Sequence, residues 1–158
     1  MPAHTLRTIE TFLAQKRLAF VGLSRDAKDF SRMLLAELET RGYDVVPVNP
    51  NATEVAGKRC FPSVSAIQPP VEAALLLTTA LATDDVVIDC AAAGVRYIWM
   101  YRAVGRGAVS EAAVAFCRAK GIEVVAGECP FMYLPHTQWF HRLHGGFRKV
   151  TGTFPLAG

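Results

Sequence analysis

The 158-residue sequence lacks a hydrophobic run long enough to cross a bilayer, although half of its residues are apolar. A membrane helix needs about 20 consecutive apolar residues, whereas the most apolar later run is only AALLL, at 73–77. The first 20 residues also lack the apolar core behind a basic head that marks a secretory leader. We therefore expect a cytoplasmic protein that makes no membrane contact.

A strong excess of charge is also missing. The chain has 17 Lys and Arg against 14 Asp and Glu, a formal net charge of +3. The basic residues are scattered, and no basic run alternates with aromatic residues as it does in many nucleic-acid-binding segments. The charge pattern disfavours a nucleic-acid partner and fits an anionic small molecule better.

The four cysteines form no C-x-x-C pair. Cys60, Cys90, Cys117 and Cys129 are widely separated, so the local signature of a zinc site or of a redox dithiol is absent. We expect reduced, mostly buried thiols. Cys129 is the one with an alternative, since it follows the last predicted strand, where α/β folds place ligand-facing loops.

A catalytic set cannot be assembled from the sequence. Catalysis requires a nucleophile, or an acid and a base, whose partners converge. Ser24 has no evident base partner, and Glu128 is the one carboxylate placed to reach a ligand, although a solvated loop carboxylate is its commoner role. Binding without chemistry is therefore favoured, and no catalytic or metal-ligating residue is assigned.

What the sequence does contain is a regular alternation of β-branched runs and helical stretches. A chain of this length suits one well-cored domain. We predict strands near 18–22, 44–48, 73–78, 96–100 and 122–126, with a leading helix at about 5–15 and helices between the strands. Helix starts and stops are clearest for Phe30 to Thr40, which ends at Arg41-Gly42, and for the helix after Ser110.

Four of these strands are apolar throughout rather than alternating. Runs such as VVPV and YIWM are expected where helices cover both faces of a parallel sheet. The predicted fold is α/β: a doubly wound, mainly parallel five-stranded Rossmann-like sheet with helices on both faces. Ligands of such sheets lie beyond the carboxyl ends of the strands, where strand order reverses.

The first of these loops is the most informative. The segment LAFVGLSRDAKDFS runs from an apolar strand through a polar turn into a helix, which aims backbone N–H groups and a helix N-terminus at one point. It lacks the G-x-G-x-x-G spacing of ordinary dinucleotide binders. The candidate pyrophosphate-binding residues are Gly22, Ser24, Arg25 and Ser31. The alternative is a plain turn capped by Asp29 or Ser31.

The second loop bears on the choice of cofactor. NAD-binding folds usually end their second strand in Asp or Glu, which binds the ribose hydroxyls, but this chain has VVPVNPN. The missing carboxylate disfavours NAD and leaves NADP as a weaker option. Asn49, Pro50 and Asn51 form either a turn alone or a turn that also contacts a ligand.

These segments together resemble the CoA-binding domain family, whose members are related to the amino-terminal domain of succinyl-CoA synthetase alpha subunits. The similarity is carried by VGLSRD, by VPVNPNATEVAGKRCFPS in register with it, by the strand IWM and by GECP. The resemblance implies coenzyme A or an acyl-CoA as ligand. It places the pyrophosphate at Gly22, Ser24, Arg25 and Ser31, and the adenosine end at Asn49, Pro50 and Asn51, with Lys58 as a possible partner of the 3′-phosphate.

The third and fourth loops depart from the family pattern. Thr78 and Thr79 match the third contact loop in position only, because relatives often carry an Arg-Arg-Pro-like sequence there. Tyr101 either contacts the ligand, at adenine or along the pantetheine arm, or packs within the fold. Arg102 and Arg106 either replace the missing charge or are solvated loop residues.

The C-terminal extension, 131–158, must be interpreted without the family. Its aromatic and leucine residues at helical spacing predict an amphipathic helix that docks on the domain or forms a homodimer. These residues are Trp139, Phe140, Leu143 and Phe147. A metal site is disfavoured because His136, His141 and His144 have no clear carboxylate partner.

The functional prediction is non-catalytic binding of coenzyme A or an acyl-CoA through the loops at the carboxyl ends of the strands. Two alternatives remain open: an NADP-dependent oxidoreductase, or a regulatory or scaffold protein that has lost its nucleotide.

Overall fold

The structure is a computed structural model that describes residues 5–102 and 105–134. The predicted C-terminal helix, its homodimer contact and the three tail histidines lie outside the described residues. Among the described helices, none is both long enough and apolar enough to span a bilayer.

The described chain contains seven strands and four α-helices. The strands are β1 Arg17–Val21, β2 Asp44–Val48, β3 Glu54–Val55, β4 Lys58–Arg59, β5 Ala73–Leu76, β6 Tyr97–Tyr101 and β7 Glu123–Glu128. The helices are α1 Leu6–Leu13, α2 Phe30–Thr40, α3 Ala80–Ala92 and α4 Glu111–Ala119, followed by a short 3-10 helix at Pro130–Met132. The five predicted strands and the predicted leading helix are confirmed with small shifts at their ends.

Five of the strands form one parallel sheet in the order β2-β1-β5-β6-β7. From β1 the chain moves outward to β2 and then returns to pair β5 on the other side of β1. Strand order therefore reverses between β1 and β5, and the carboxyl ends of these two strands define the switch point of the sheet. The predicted fold class is confirmed.

The core has two halves because helices cover both faces of the sheet. One half contains Phe20 and Trp99 with α1 and α2, and the other contains Met100 and Val87 with α3 and α4. Side chains of successive strand residues point to opposite faces, so a strand buried on both sides must be apolar at every position. The continuous apolar runs in the sequence have this cause.

Local sequence explains where α2 begins and ends. Asp29 is its N-cap and accepts a 2.8 Å hydrogen bond from the Ser31 backbone N–H. Leu34 and Leu38 are buried one turn apart on the core side of the helix. Beyond Thr40 the chain reaches Gly42 at φ +85°, a left-handed conformation that favours glycine after a helix.

A small antiparallel hairpin of β3 and β4 follows β2 and was not predicted. Its two-residue strands are too short to produce a periodic pattern in the sequence. The hairpin returns the chain so that Phe61 pairs with Val48 at the end of β2. This contact fixes the path of the second loop.

The four cysteines are free thiols, and all four are buried, as predicted. Burial raises the pKa of Cys117 to about 11 and raises the pKa of Cys60 as well. Because the thiolate is the reactive form, these raised pKa values keep both groups unreactive at neutral pH.

Candidate functional site

Gly22 lies directly at the switch point, immediately after β1. Its φ is +93°, and a Cβ placed on it would lie 2.2 Å from the backbone oxygen of Leu77. No side chain fits at that distance, and the left-handed backbone independently favours glycine. The sequence thus places glycine where the backbone just beyond β1 passes closest to the backbone just beyond β5.

The loop after Gly22 is held by its own polar side chains. The Ser31 hydroxyl accepts a 2.9 Å hydrogen bond from the Ser24 backbone N–H, and the Ser24 hydroxyl accepts one of 3.0 Å from Asp26 N–H. Asp26 in turn accepts a 2.9 Å bond from Lys28 N–H. Ser31 is 1% exposed, so its hydroxyl serves first to shape the loop that surrounds the start of α2.

Asp29 contributes to the same structure. Hydrogen bonds from the Ser31 side chain and backbone N–H hold the pKa of Asp29 below its ordinary value. The carboxylate therefore stabilises the first turn of α2 at neutral pH.

Asp29→Ala is expected to lower the free energy of unfolding by about 1 kcal/mol at pH 7, through loss of the N-cap. Because the folded-state pKa is lowered, this contribution is present above the ordinary Asp pKa of about 4 and is lost as pH falls through the folded-state value. Urea unfolding at pH 7 and at about pH 2.5 measures it, and the difference between wild type and variant should shrink at the lower pH.

The uncharged N-cap of α1 supplies the control. The Thr5 hydroxyl accepts a 3.3 Å hydrogen bond from Thr8 N–H. Thr5→Ala should lower the free energy of unfolding by the same amount at both pH values. An Asp29→Ala cost that did not change with pH would contradict the proposed role of the carboxylate.

A cavity of about 360 Å³ opens at the switch point. It is bordered by the first loop, the end of β5 and the chain around the end of β6. The lining residues are Gly22, Ser24, Asp29, Phe30, Ser31, Leu77, Thr78, Tyr101, Gly107 and Ala108. Five of the predicted binding residues therefore come together here: Gly22, Ser24, Ser31, Thr78 and Tyr101. We call this space the switch-point cavity.

The apolar side of the switch-point cavity consists of aromatic rings. Tyr101 stacks on Phe30 with ring centroids 5.3 Å apart and an interplanar angle of 27°, and Phe30 meets Phe131 edge-on at 5.6 Å. Burial, and secondarily Cys129, raises the pKa of Tyr101 to about 12. Its hydroxyl therefore stays neutral at physiological pH. Tyr101 therefore packs within the fold and also lines the cavity, while its contact with a ligand stays a prediction.

The second loop forms an Asx turn. The Asn49 side-chain oxygen accepts a 2.8 Å bond from Asn51 N–H, and Asn49 N–H donates to the Phe61 carbonyl at 3.0 Å. Pro50 and Asn51 line a different cavity, of about 430 Å³, together with Cys60. The structure thus separates the Asn49, Pro50 and Asn51 loop from the switch-point cavity. The Lys58 side chain forms an ion pair with Glu39, with Nζ of Lys58 2.8 Å from Oε1 of Glu39.

The threonine side chains of the third loop form hydrogen bonds with the first turn of α3. Thr78 and Thr83 share a 2.7 Å hydrogen bond between their hydroxyls, and Thr79 is the N-cap of α3, accepting a 3.2 Å bond from Ala82 N–H. Thr78 lines the switch-point cavity, whereas Thr79 is exposed and is not among the lining residues. Arg25 is also exposed, and its backbone carbonyl accepts a 3.2 Å bond from Arg32.

The chain beyond β6 closes the switch-point cavity through Gly107. Its φ is +55°, and a Cβ there would lie 2.5 Å from the Tyr101 backbone oxygen. Ala108 N–H also donates to that oxygen at 2.8 Å. The sequence analysis did not identify five of the lining residues: Asp29, which it named only as a helix cap, Phe30, Leu77, Gly107 and Ala108. The glycines within VGRG were the one available signal for Gly107.

Glu128 corrects a sequence prediction. It ends β7 rather than lying in a loop, and it is 3% exposed rather than solvated. Its carboxylate accepts a 3.0 Å hydrogen bond from the Tyr133 hydroxyl, and its backbone carbonyl accepts one of 2.9 Å from the Trp99 indole. Within residues 5–102 and 105–134, no three His, Cys, Asp or Glu side chains are grouped to hold a metal ion.

Comparison with known proteins agrees with this architecture. The sequence profile of the family described as a CoA binding domain matches residues 16–135. The chain is 26% identical over 95 residues to acetate–CoA ligase (ADP-forming) II of Archaeoglobus fulgidus. That match covers 59% of this chain but only 14% of the ligase.

Solved structures with a similar fold include the following two. A hypothetical protein from Pyrococcus horikoshii superposes with a TM-score of 0.74 and 28% identity, covering 81% of this chain and 88% of that one. The dinucleotide-forming acetyl-coenzyme A synthetase 1 of Ca. Korarchaeum cryptofilum, solved in complex with phosphate and ADP, gives a TM-score of 0.62 and 26% identity. The superposition covers 71% of this chain and 25% of the synthetase.

Proposed function

Because the chain belongs to the CoA-binding domain family, we propose that it binds coenzyme A or an acyl-CoA across the carboxyl edge of its sheet. The observation that carries the proposal is the glycine contact at the switch point, where Gly22 meets Leu77 and leaves a cavity bordered by the start of α2. The positive end of a helix dipole favours an anion there.

The direction proposed for the ligand along the sheet is the one that the family resemblance implies. The pyrophosphate lies over the first loop, beside Gly22 and Ser24, with Ser31 holding that loop from beneath. The adenosine end extends toward β2, where Pro50 and Asn51 line the neighbouring cavity. The pantetheine arm extends the opposite way, over β5 and β6, past Thr78 and the Tyr101 ring.

The electrostatics of the first loop support an anionic ligand. Arg25 and Lys28 are exposed on the loop, and neither forms an ion pair with another described residue. Arg32 reaches back to the Arg25 carbonyl. Three cations and the carboxylates of Asp26 and Asp29 therefore lie on this loop and the first turn of α2, which leaves an excess of one positive charge beside a helix start that already favours an anion.

The chain's role in this proposal is binding without chemistry. Polar side chains of the switch-point cavity have structural partners. The Ser31 hydroxyl accepts a hydrogen bond from the Ser24 backbone N–H, and the Thr78 hydroxyl is hydrogen-bonded to the Thr83 hydroxyl. Tyr101 is neutral at physiological pH because its pKa is raised to about 12. These groups position a ligand, and none of them is set up as a base.

Calorimetric titration with coenzyme A, dephospho-coenzyme A, NAD and NADP tests the proposal. Coenzyme A should bind tightest, with a Kd of about micromolar, and dephospho-coenzyme A more weakly because it lacks one phosphate. Tighter binding of NADP than of coenzyme A would favour the oxidoreductase alternative. No heat of binding with about 1 mM coenzyme A would overturn the proposal.

A further inference from the structure

Helix α3 is apolar on its solvent side as well as on its core side. Val87 and Cys90 are buried against the sheet, whereas Leu81 and Ile88 are 82% and 55% exposed. A surface helix of a globular protein normally carries its apolar residues on the core side, and a helix that is apolar all round is normally buried. The solvent side of α3 therefore has the composition of a contact surface.

Helix α4 adds small side chains to the same surface. Its exposed residues include Ala112, Ala115 and Ala119, which are three and four residues apart and so share one side of the helix. Leu81 and Ala112 line one cavity of about 460 Å³ between the first turns of α3 and α4, so the two sets of exposed residues are adjacent. We call the surface formed by Leu81, Ile88, Ala112, Ala115 and Ala119 the α3–α4 face.

The two helices of this face run parallel to each other. Helix α3 connects β5 to β6 and α4 connects β6 to β7, and because these strands are parallel, both helices return from the carboxyl edge of the sheet to the amino edge. Leu81 and Ile88 are seven residues apart, as are Ala112 and Ala119. Seven residues make about two helical turns, so the large side chains on α3 have the same spacing as the small ones on α4.

A second copy of the chain fits this face by symmetry. A two-fold axis along the groove between the helices places α3 of each copy over α4 of the other, so that both contacts form at once. With Leu81 over Ala112 of the second copy, Ile88 lies over Ala119. Large side chains then meet small ones, which lets the helices approach closely.

The charges of the two helices are also complementary. Helix α3 has three carboxylates and no cation: Asp84, Asp85 and Asp89. The last turn and the C-cap of α4 carry Arg118 and Lys120, and both residues are exposed. Lys120 follows Ala112 by eight residues, as Asp89 follows Leu81. The parallel pairing therefore sets acidic residues of α3 beside the basic end of α4 in the other copy.

An antiparallel pairing would bring like charges together. If α3 packed on its own copy with Leu81 over Ile88, Asp84 of one copy would lie over Asp85 of the other at the two-fold axis. Carboxylates would then meet at the centre of a contact that excludes water, where their repulsion is strongest. The charges thus favour the parallel pairing.

The size of the α3–α4 face predicts a weak dimer. Helix α3 has 13 residues and is about 20 Å long, and packed helices lie about 10 Å apart. The two helices therefore cover about 500 Å² on each copy, at the small end of specific interfaces. A dissociation constant of about 10 µM suits a contact of this size.

We propose that the chain forms a homodimer through the α3–α4 face, with the two-fold axis along the groove between the helices. Leu81 and Ile88 of each copy pack on the exposed alanines of the other. None of the residues of this face lines the switch-point cavity, so the proposal stands apart from the proposed function.

Sedimentation equilibrium of the full chain at about 1 to 500 µM tests the proposal. Wild type should change from mostly monomer to mostly dimer over this range. Ile88→Glu should raise the dissociation constant more than about tenfold, because its dimer would bury two unpaired carboxylates.

Met33→Glu is the matched control. Met33 is the third large apolar side chain that is exposed within residues 5–102 and 105–134, at 47%. It lies on α2, which covers the opposite face of the sheet. The variant adds the same charge as Ile88→Glu and should dimerise as wild type does. Circular dichroism checks that both variants fold.

Single cysteines test the orientation of the two copies. In the parallel pairing each residue beside the axis faces its own copy, so Leu81→Cys and Ile88→Cys should each give covalent dimers with a short bis-maleimide. Met33→Cys should give none, and the four native thiols are buried. Denaturing gels of samples treated above the dissociation constant measure the covalent dimer.

A monomer across the whole concentration range would overturn the proposal. A dimer that Ile88→Glu leaves intact would overturn it as well, since another surface, such as the predicted C-terminal helix, would then form the contact. Cross-linking that needs Leu81→Cys and Ile88→Cys mixed together, and fails with each alone, would overturn the parallel pairing.

Discussion

Replacing Gly22 with alanine should abolish coenzyme A binding and lower the free energy of unfolding by about 4 kcal/mol. The added Cβ would lie 2.2 Å from the Leu77 oxygen and 2.7 Å from its carbonyl carbon. Both are backbone atoms of the chain leaving a central strand, so neither can move without separating β1 from β5. The first loop is displaced at the point where the pyrophosphate is proposed to lie.

Gly94→Ala is the matched control, because it separates backbone strain from steric overlap. Gly94 has a similar φ of +82°, but a Cβ there would meet no atom within 4 Å. The free energy of unfolding of this variant should fall by only about 1 kcal/mol, the cost of alanine in a left-handed conformation. The variant should bind coenzyme A as wild type does. Equal stability losses for the two variants would contradict the backbone contact assigned to Gly22.

Tyr101→Ala is expected to weaken coenzyme A binding by more than tenfold and to cost about 3 kcal/mol of stability. The substitution removes the ring that stacks on Phe30 and leaves the apolar side of the switch-point cavity without its wall. Thermal or urea unfolding and calorimetric titration measure the two effects separately.

Tyr101→Phe keeps the ring and removes the hydroxyl, so it should bind coenzyme A within about twofold of wild type. It also tests the raised pKa. The neutral hydroxyl costs nothing below pH 10, but stability is lost as pH rises from the unfolded pKa of about 10 toward the folded value of about 12. Tyr101→Phe should therefore be more stable than wild type near pH 11. A Tyr101→Phe binding loss as large as that of Tyr101→Ala would contradict the role assigned to the ring.

The fold could be predicted closely because its signals are local. The bounds of α2 follow from Asp29 at one end and Gly42 at the other, and the buried positions of β1, β2 and β5 form continuous apolar runs. Gly22 could be identified because a strand, a glycine and a helix start are adjacent in sequence. These features depend on neighbouring residues, and sequence shows neighbours directly.

The candidate site was less predictable because its geometry depends on distant contacts. The Ser31 hydroxyl accepts a hydrogen bond from the Ser24 N–H, seven residues earlier in the chain, and this contact depends on how the loop between them closes. Asn49 does not line the switch-point cavity, and its N–H donates to the Phe61 carbonyl because an unpredicted hairpin brings Phe61 against the end of β2. The contact of Arg102 with Gly127 joins the residue that follows β6 to β7, about 25 residues further along the chain, and no pattern in the sequence marks it.

The central claim is that coenzyme A lies over the Gly22 loop at the switch point of the sheet. Titration of ¹⁵N-labelled protein with coenzyme A tests it residue by residue through amide chemical shifts. The largest changes should fall on Gly22, Ser24 and Ser31, with Thr78 and Tyr101 following along the pantetheine path. Saturable shifts confined to the amino edge of the sheet, around Arg17 and Arg96, would contradict the account.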